Sequence, residues 1–166
     1  MARRAVARYH TTMPNVNVTE RQVSPKLDYG LVTGLIAGAI VSVWMLLIGA
    51  LGGGSAADQG VFTSSIVLGP EVFDKVGFNL NWVVGEIVHL VTWLLLGVVF
   101  ALLWPKIRKY GVWTPSLLFG IAAYLVVVQV ISRIIQPGFP AEIGFAALWI
   151  GYLIGGLVFA FRYRSA

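Results

Sequence analysis

Four stretches of this chain stay apolar for about 20 residues at a time, and that length limits what it can fold into. A helix rises 1.5 Å per residue, so about 20 residues cross the roughly 30 Å hydrocarbon layer of a bilayer. The stretches fall at 29–51, 81–104, 115–136 and 141–162. In lipid every backbone N–H and C=O must be paired inside the segment, which selects the α-helix for spans of this kind. The expected fold is therefore all-α, a four-transmembrane-helix bundle. Composition agrees, because only 11% of the 166 residues are charged and mean hydropathy is +0.83. A soluble domain carries about 25% charged residues, and one small core could not hide so much apolar surface. Trp82, Trp104 and Trp113 stand at segment ends, where an amphipathic ring prefers the headgroup level.

Lysine and arginine set the orientation. Arg3, Arg4, Arg8, Arg21, Lys26, Lys106, Arg108, Lys109, Arg162 and Arg164 fall on one side of the expected spans, and Lys75 and Arg133 on the other. The positive-inside rule then places both termini in the cytoplasm of a bacterial-type inner membrane. Residues 1–26 form a basic arm without an apolar core, so a cleaved signal peptide is not expected. The first hairpin covers 27–104, with a long external loop at 52–80, and a basic turn follows at 105–113. The second hairpin covers 114–162 and a short tail 163–166. Within the loop, Pro70 to Val76 can split into an apolar face (Val72, Phe73, Val76) and a charged face (Glu71, Asp74, Lys75). That pattern suits either a short interfacial helix or an irregular loop.

The two hairpins resemble each other. Ser24-Pro25-Lys26-Leu27-Asp28-Tyr29-Gly30 and Thr114-Pro115-Ser116-Leu117-Leu118-Phe119-Gly120 share the pattern [ST]-P-x-L-x-[YF]-G. In the second helix of each hairpin, Glu86-Ile87 and Trp93 match Glu142-Ile143 and Trp149. After a three-residue shift, Gly97-Val98-Val99-Phe100-Ala101 matches Gly156-Leu157-Val158-Phe159-Ala160. A duplication of this kind relates two-helix units by an axis along the membrane normal, in transporters and in inert scaffolds alike. Chance similarity between apolar helices is the alternative.

Small residues recur every fourth position at Gly30, Gly34 and Gly38, and again at Gly151 and Gly155. Lipid gives helices no hydrophobic drive to associate, so close backbone approach at such glycines is a main source of cohesion. They are expected to pack the bundle, or to form a docking face on the first helix.

Ionisable and polar groups within spans mark candidate sites. Glu86, His89, Gln129, Arg133 and Glu142 all lie in the outer halves of their helices. Glu86 and His89 are three apart on one helix face, and Gln129, Ser132, Arg133 and Gln136 share another. A Glu86–Arg133 ion pair is expected from their similar depth, with Glu142 nearby and His89 within reach of Gln129. Such a pair would fix helix register, carry protons or ions, or meet a partner subunit, a lipid headgroup or a quinone-like ligand.

There is no cysteine, which removes thiolate chemistry. Glu-x-x-His occurs once, with Phe145 where a second histidine would be, so a di-iron bundle is not expected. His89 could give haem one axial ligand, but His10 lies on the other side of the membrane. No catalytic triad, phosphate loop or metal-ligand spacing is present. The expectation is no enzyme, no metal and no cofactor. The basic residues sit at the edges of apolar stretches instead of along one face, so nucleic acid is not an expected partner.

From Asn81 to Gly120 the chain resembles the YagU-type bacterial inner-membrane proteins. The residues that carry this are Asn81-Trp82, His89, Val98-Val99-Phe100-Ala101 and Pro105-Lys106-Ile107, about a quarter of the chain. The resemblance implies a four-helix inner-membrane protein, loosely associated with acid tolerance, with no catalytic residues to carry over. The expected role is an accessory or assembly subunit of a larger membrane complex, plausibly an energy-transducing one, in contact with lipids and other membrane subunits. The alternative is a homo-oligomeric proton or ion transporter using Glu86, His89 and Arg133.

Overall fold

The computed structural model describes residues 26–52, 56–75, 77–136 and 144–165, which are helical with no strand among them. The helices are α1 (Leu27–Leu51), α2 (Asp58–Leu68), α3 (Leu80–Ile107), α4 (Trp113–Ile135) and α5 (Phe145–Tyr163). Of these, α1, α3, α4 and α5 are long and apolar enough to cross a membrane. The chain is thus a multi-pass membrane protein. Leu35, Val43, Leu95, Val99, Ile134 and Phe161 are among the large apolar side chains left on its outside, the surface that hydrocarbon covers.

Local chemistry sets the helix ends. The Asn79 side chain accepts bonds from the backbone N–H groups of Asn81 (2.8 Å) and Trp82 (3.2 Å), capping α3. Pro115 sits in the first turn of α4, where its missing N–H has no helical partner to lose. α3 runs through Pro105 to Ile107, three residues into the expected turn, because near a helix end the one backbone bond that proline forfeits is tolerated.

α1 packs against α3 and α5, α4 packs against α5, and α2 lies on α3. Glycines make the two hairpin crossings. A Cβ on Gly30 would stand 2.6 Å from the Gly97 carbonyl oxygen, and one on Gly97 2.9 Å from the Cα of Gly34. Gly34 and Gly38 continue this seam against Trp93. In the other hairpin, a Cβ on Gly120 would stand 2.6 Å from the Tyr152 oxygen, and one on Gly156 2.8 Å from that of Ser116. Gly151 faces Val41 and Trp44 on α1, and Gly155 lies under the Trp93 ring.

Where α3 and α5 face each other, rings fill the space. Trp93 meets Tyr152 with centroids 5.3 Å apart, Phe100 stacks on Phe159 at 4.8 Å, and Trp104 meets Tyr163 edge-on at 5.0 Å. Trp93, Phe100 and Phe159 are essentially inaccessible. This column occupies the bundle interior from its middle to the end that carries Lys106 and Arg162.

The long connection between α1 and α3 holds more structure than its sequence suggests. α2 was not expected within 52–80, and the helix expected over 70–76 is a single 3-10 turn, Pro70–Val72. The two faces persist even so. Val72 is buried and Phe73 packs edge-on against Phe62 (5.5 Å), while Glu71, Asp74 and Lys75 are exposed; Val76 lies outside the described residues. α2 is too short to span, and Gln59, Thr63, Ser64 and Ser65 make it look like a loop. The structure buries it because Gly60 and Gly85 let its backbone touch that of α3. Its hydroxyls bond to its own carbonyls, Thr63 to Gln59 (2.8 Å), Ser64 to Val61 (2.6 Å) and Ser65 to Phe62 (2.6 Å). Bonds made within the helix let these groups be buried at little cost.

Candidate functional site

Glu86 and His89 turn together toward α1. The Ser42 hydroxyl donates to Glu86 Oε2 at 2.8 Å, and His89 Nε2 lies 3.2 Å from the Gly38 carbonyl oxygen. Their three-residue spacing puts both on the face that the Gly34–Gly38 seam brings close. Glu86 Oε1 is buried without a partner, a rarity in a folded interior.

His89 also lines a cavity of about 50 Å³, room for a few water-sized molecules at about 10–15 Å³ each. Its lining comes from five helices, four of which supply polar groups. Gln59 and Thr63 come from α2, His89 and Thr92 from α3, Ser132 from α4 and Tyr152 from α5, with apolar Val41 and Met45 from α1. Gln59 is buried and its Oε1 has no partner. The Thr92 hydroxyl is committed to Val88 O at 2.8 Å. The site can hold a small polar molecule between an imidazole, an amide and hydroxyls. Two of its lining side chains, His89 and Tyr152, pack against the ring of Trp93, with centroids 6.3 and 5.3 Å away.

The expected Glu86–Arg133 ion pair does not form. Arg133 is exposed, its guanidinium 5.6 Å from the centroid of the Phe145 ring. Gln129 does not bond His89 but donates to the Tyr124 hydroxyl at 2.6 Å. The cause is local. Residues Tyr124–Ser132 of α4 form a π-helix, in which residues five apart align instead of three or four. Gln129 therefore reaches back five residues to Tyr124, and the Ser132 hydroxyl five residues to Val127 O (2.8 Å). Ser132 enters the cavity and Arg133, next in sequence, is carried to the surface. Glu142 lies outside the described residues.

Sequence reasoning missed Ser42, Gln59, Thr63, Thr92 and Tyr152. The four-residue spacing of Gln59 and Thr63 was the available signal for a helix face. Nothing in the sequence indicated that this face would reach α3.

Because Arg133 is not the partner of Glu86, Glu86→Gln should hold the fold to within about 1 kcal/mol, the amide oxygen still accepting from Ser42. Arg133→Met should cost no more than its ring contact, about 0.5–1 kcal/mol. Ser42→Ala should cost more, about 1–3 kcal/mol, by leaving a second buried oxygen unpaired. Unfolding titrations in mixed micelles check the ranking; an Arg133→Met loss as large as that of Ser42→Ala would contradict it.

Comparison of the chain with known protein families, curated proteins and solved structures finds no match.

Proposed function

We propose that this protein is a non-catalytic integral membrane subunit that acts by docking within a larger membrane complex. The observation that carries this is the column from Trp93 to Tyr163, which fills the bundle between the polar cavity and the basic end. Among the described residues this part of the interior is filled by packed rings, so the work of a single chain falls to its surfaces. Ten of its twelve cationic side chains lie on one side of the spans, which supports cytoplasmic termini in an inner membrane.

The same reading takes the two hairpins as copies. The matched glycines Gly30 and Gly120 cross the matched glycines Gly97 and Gly156 in their respective hairpins. Phe100 and Phe159, also matched in sequence, stack on each other. Trp93 with Tyr152, and Trp104 with Tyr163, have the same separation in sequence and meet likewise. Equivalent residues that touch one another are what a two-fold axis between copies produces.

Purification from native membranes in a mild detergent, followed by mass spectrometry, tests the reading. The expected result is one or more membrane proteins in stoichiometric amount. Isolation as a lone homo-oligomer would overturn it. A second reading, a homo-oligomeric proton or ion conductor, draws on the unpartnered Glu86 Oε1, one helical turn from His89, which lines the cavity. In that case the protein should carry flux in liposomes and Glu86→Gln should abolish it.

A further inference from the structure

Between α3 and α4, at the basic end of the molecule, a cleft of about 500 Å³ opens on the surface that faces hydrocarbon. That is within the roughly 300–1,000 Å³ range of ligand pockets. Its walls are apolar, with Leu103 and Ile107 from α3 opposite Leu118 and Ala122 from α4. Tyr110 and Thr114 line the end nearest the connecting turn. The turn itself, 105–113, holds Lys106, Arg108 and Lys109, all exposed, and no carboxylate. Lys109 Nζ stands 4.9 Å from the centroid of the Tyr110 ring, which places one cation at the mouth of the cleft.

An apolar slot below a cationic mouth has the pattern of an amphiphile with a hydrocarbon tail and an anionic head. We propose that this cleft binds an anionic phospholipid, one acyl chain between α3 and α4 and the phosphate against Lys106 and Lys109. The hairpin correspondence adds a reason. The counterpart of the cleft lies between α1 and α5, where Tyr29 and Arg162 correspond to Phe119 and Leu103. There the Tyr29 hydroxyl donates to the Arg162 carbonyl, and the Arg162 guanidinium covers the Tyr29 ring at 4.9 Å. That place is closed by the protein's own side chains. On the α3–α4 side the shorter Leu103 leaves the gap that a lipid chain fills.

The full chain, purified in detergent, would be given phosphatidylglycerol or phosphatidylcholine of identical acyl chains, and bound lipid counted by native mass spectrometry. Each cation near an anionic headgroup is worth roughly fivefold in binding. Wild type is therefore expected to retain phosphatidylglycerol on the order of tenfold or more over phosphatidylcholine. The double variant Lys106→Gln, Lys109→Gln should lose most of that preference while still taking up either lipid weakly. Ala122→Trp, which fills the cleft from an exposed position, should lose both. A phosphatidylglycerol analogue with a photoreactive acyl chain makes the test independent of any variant's folding, and should label wild type mainly within 103–122. Equal retention of the two lipids by wild type, or label spread evenly over the outer faces of all four spans, would overturn the proposal.

Discussion

Gly97→Val will separate α1 from α3 and remove most of the folded population. The new side chain has nowhere to go. Its Cβ would overlap the Gly30 carbonyl oxygen and stand 2.9 Å from both the backbone nitrogen and the Cα of Gly34. All three atoms are backbone in the first two turns of α1, so no rotamer change relieves the overlap and this end of α1 must move away from α3. Overpacking in cores typically costs about 1–3 kcal/mol, and a clash with backbone along this seam belongs at or above the top of that range. Moving α1 also withdraws Gly38 and Ser42 from His89 and Glu86, so the polar pair loses its partners in the same event. Leu95→Val is the control. Leu95 is two residues away on the same helix and is 62% exposed, so trimming it should change stability by no more than about 0.5 kcal/mol. Unfolding of both variants in mixed micelles, followed by circular dichroism and tryptophan fluorescence, gives the comparison. Equal midpoints for the two would mean that the Gly30–Gly97 crossing does not hold the hairpin together.

That seam was readable in advance and the polar cluster was not, for one physical reason. Gly30, Gly34 and Gly38 repeat at the period of a regular α-helix, so their common face follows from spacing alone. The four spans are visible in the same way, since length and apolarity act locally and do not depend on what each helix touches. Gln129 and Arg133 were assigned to one face by the same period, and there it fails, because Tyr124–Ser132 adopts a π-helix. No residue in Tyr-Leu-Val-Val-Val-Gln-Val-Ile-Ser announces that change. α2 was hidden differently. Eleven residues with three hydroxyls and a glutamine are marginal as an isolated helix, and the close contact of Gly60 with Gly85 gives them a surface to rest on. Contacts between segments distant in sequence made the cavity, so His89 was legible as a polar residue in a span while Gln59, Thr63 and Tyr152 were not legible as its neighbours.

Trp93→Ala tests the other large contribution to this fold, the aromatic column. Trp93 is 2% exposed and its ring lies between Tyr152 and Phe159. The edge of that ring fills the space that Gly155 leaves by having no side chain. In a bilayer the helices are apolar-solvated whether together or apart, so removal of the indole forfeits little transfer energy. What it forfeits is contact with the surrounding rings, together with the cavity that rigid neighbours cannot close. Large-to-small changes of this kind cost about 3–5 kcal/mol in well-packed cores, and the packing part alone is on the order of 3 kcal/mol here. Trp93→Phe should cost clearly less, because a smaller ring still lies against Tyr152 and Phe159. An apolar cavity left in a rigid core takes up small aromatic molecules, so added indole should raise the unfolding midpoint of Trp93→Ala and leave that of wild type unchanged. The same variant removes the ring of the column that packs on Tyr152 and His89, two side chains lining the polar cavity. Reconstituted in liposomes, Trp93→Ala should leak protons faster than wild type, and added indole should slow it. A tight Trp93→Ala protein, folded and with indole bound, would mean that the remaining rings from Phe100 to Tyr163 seal the interior without it.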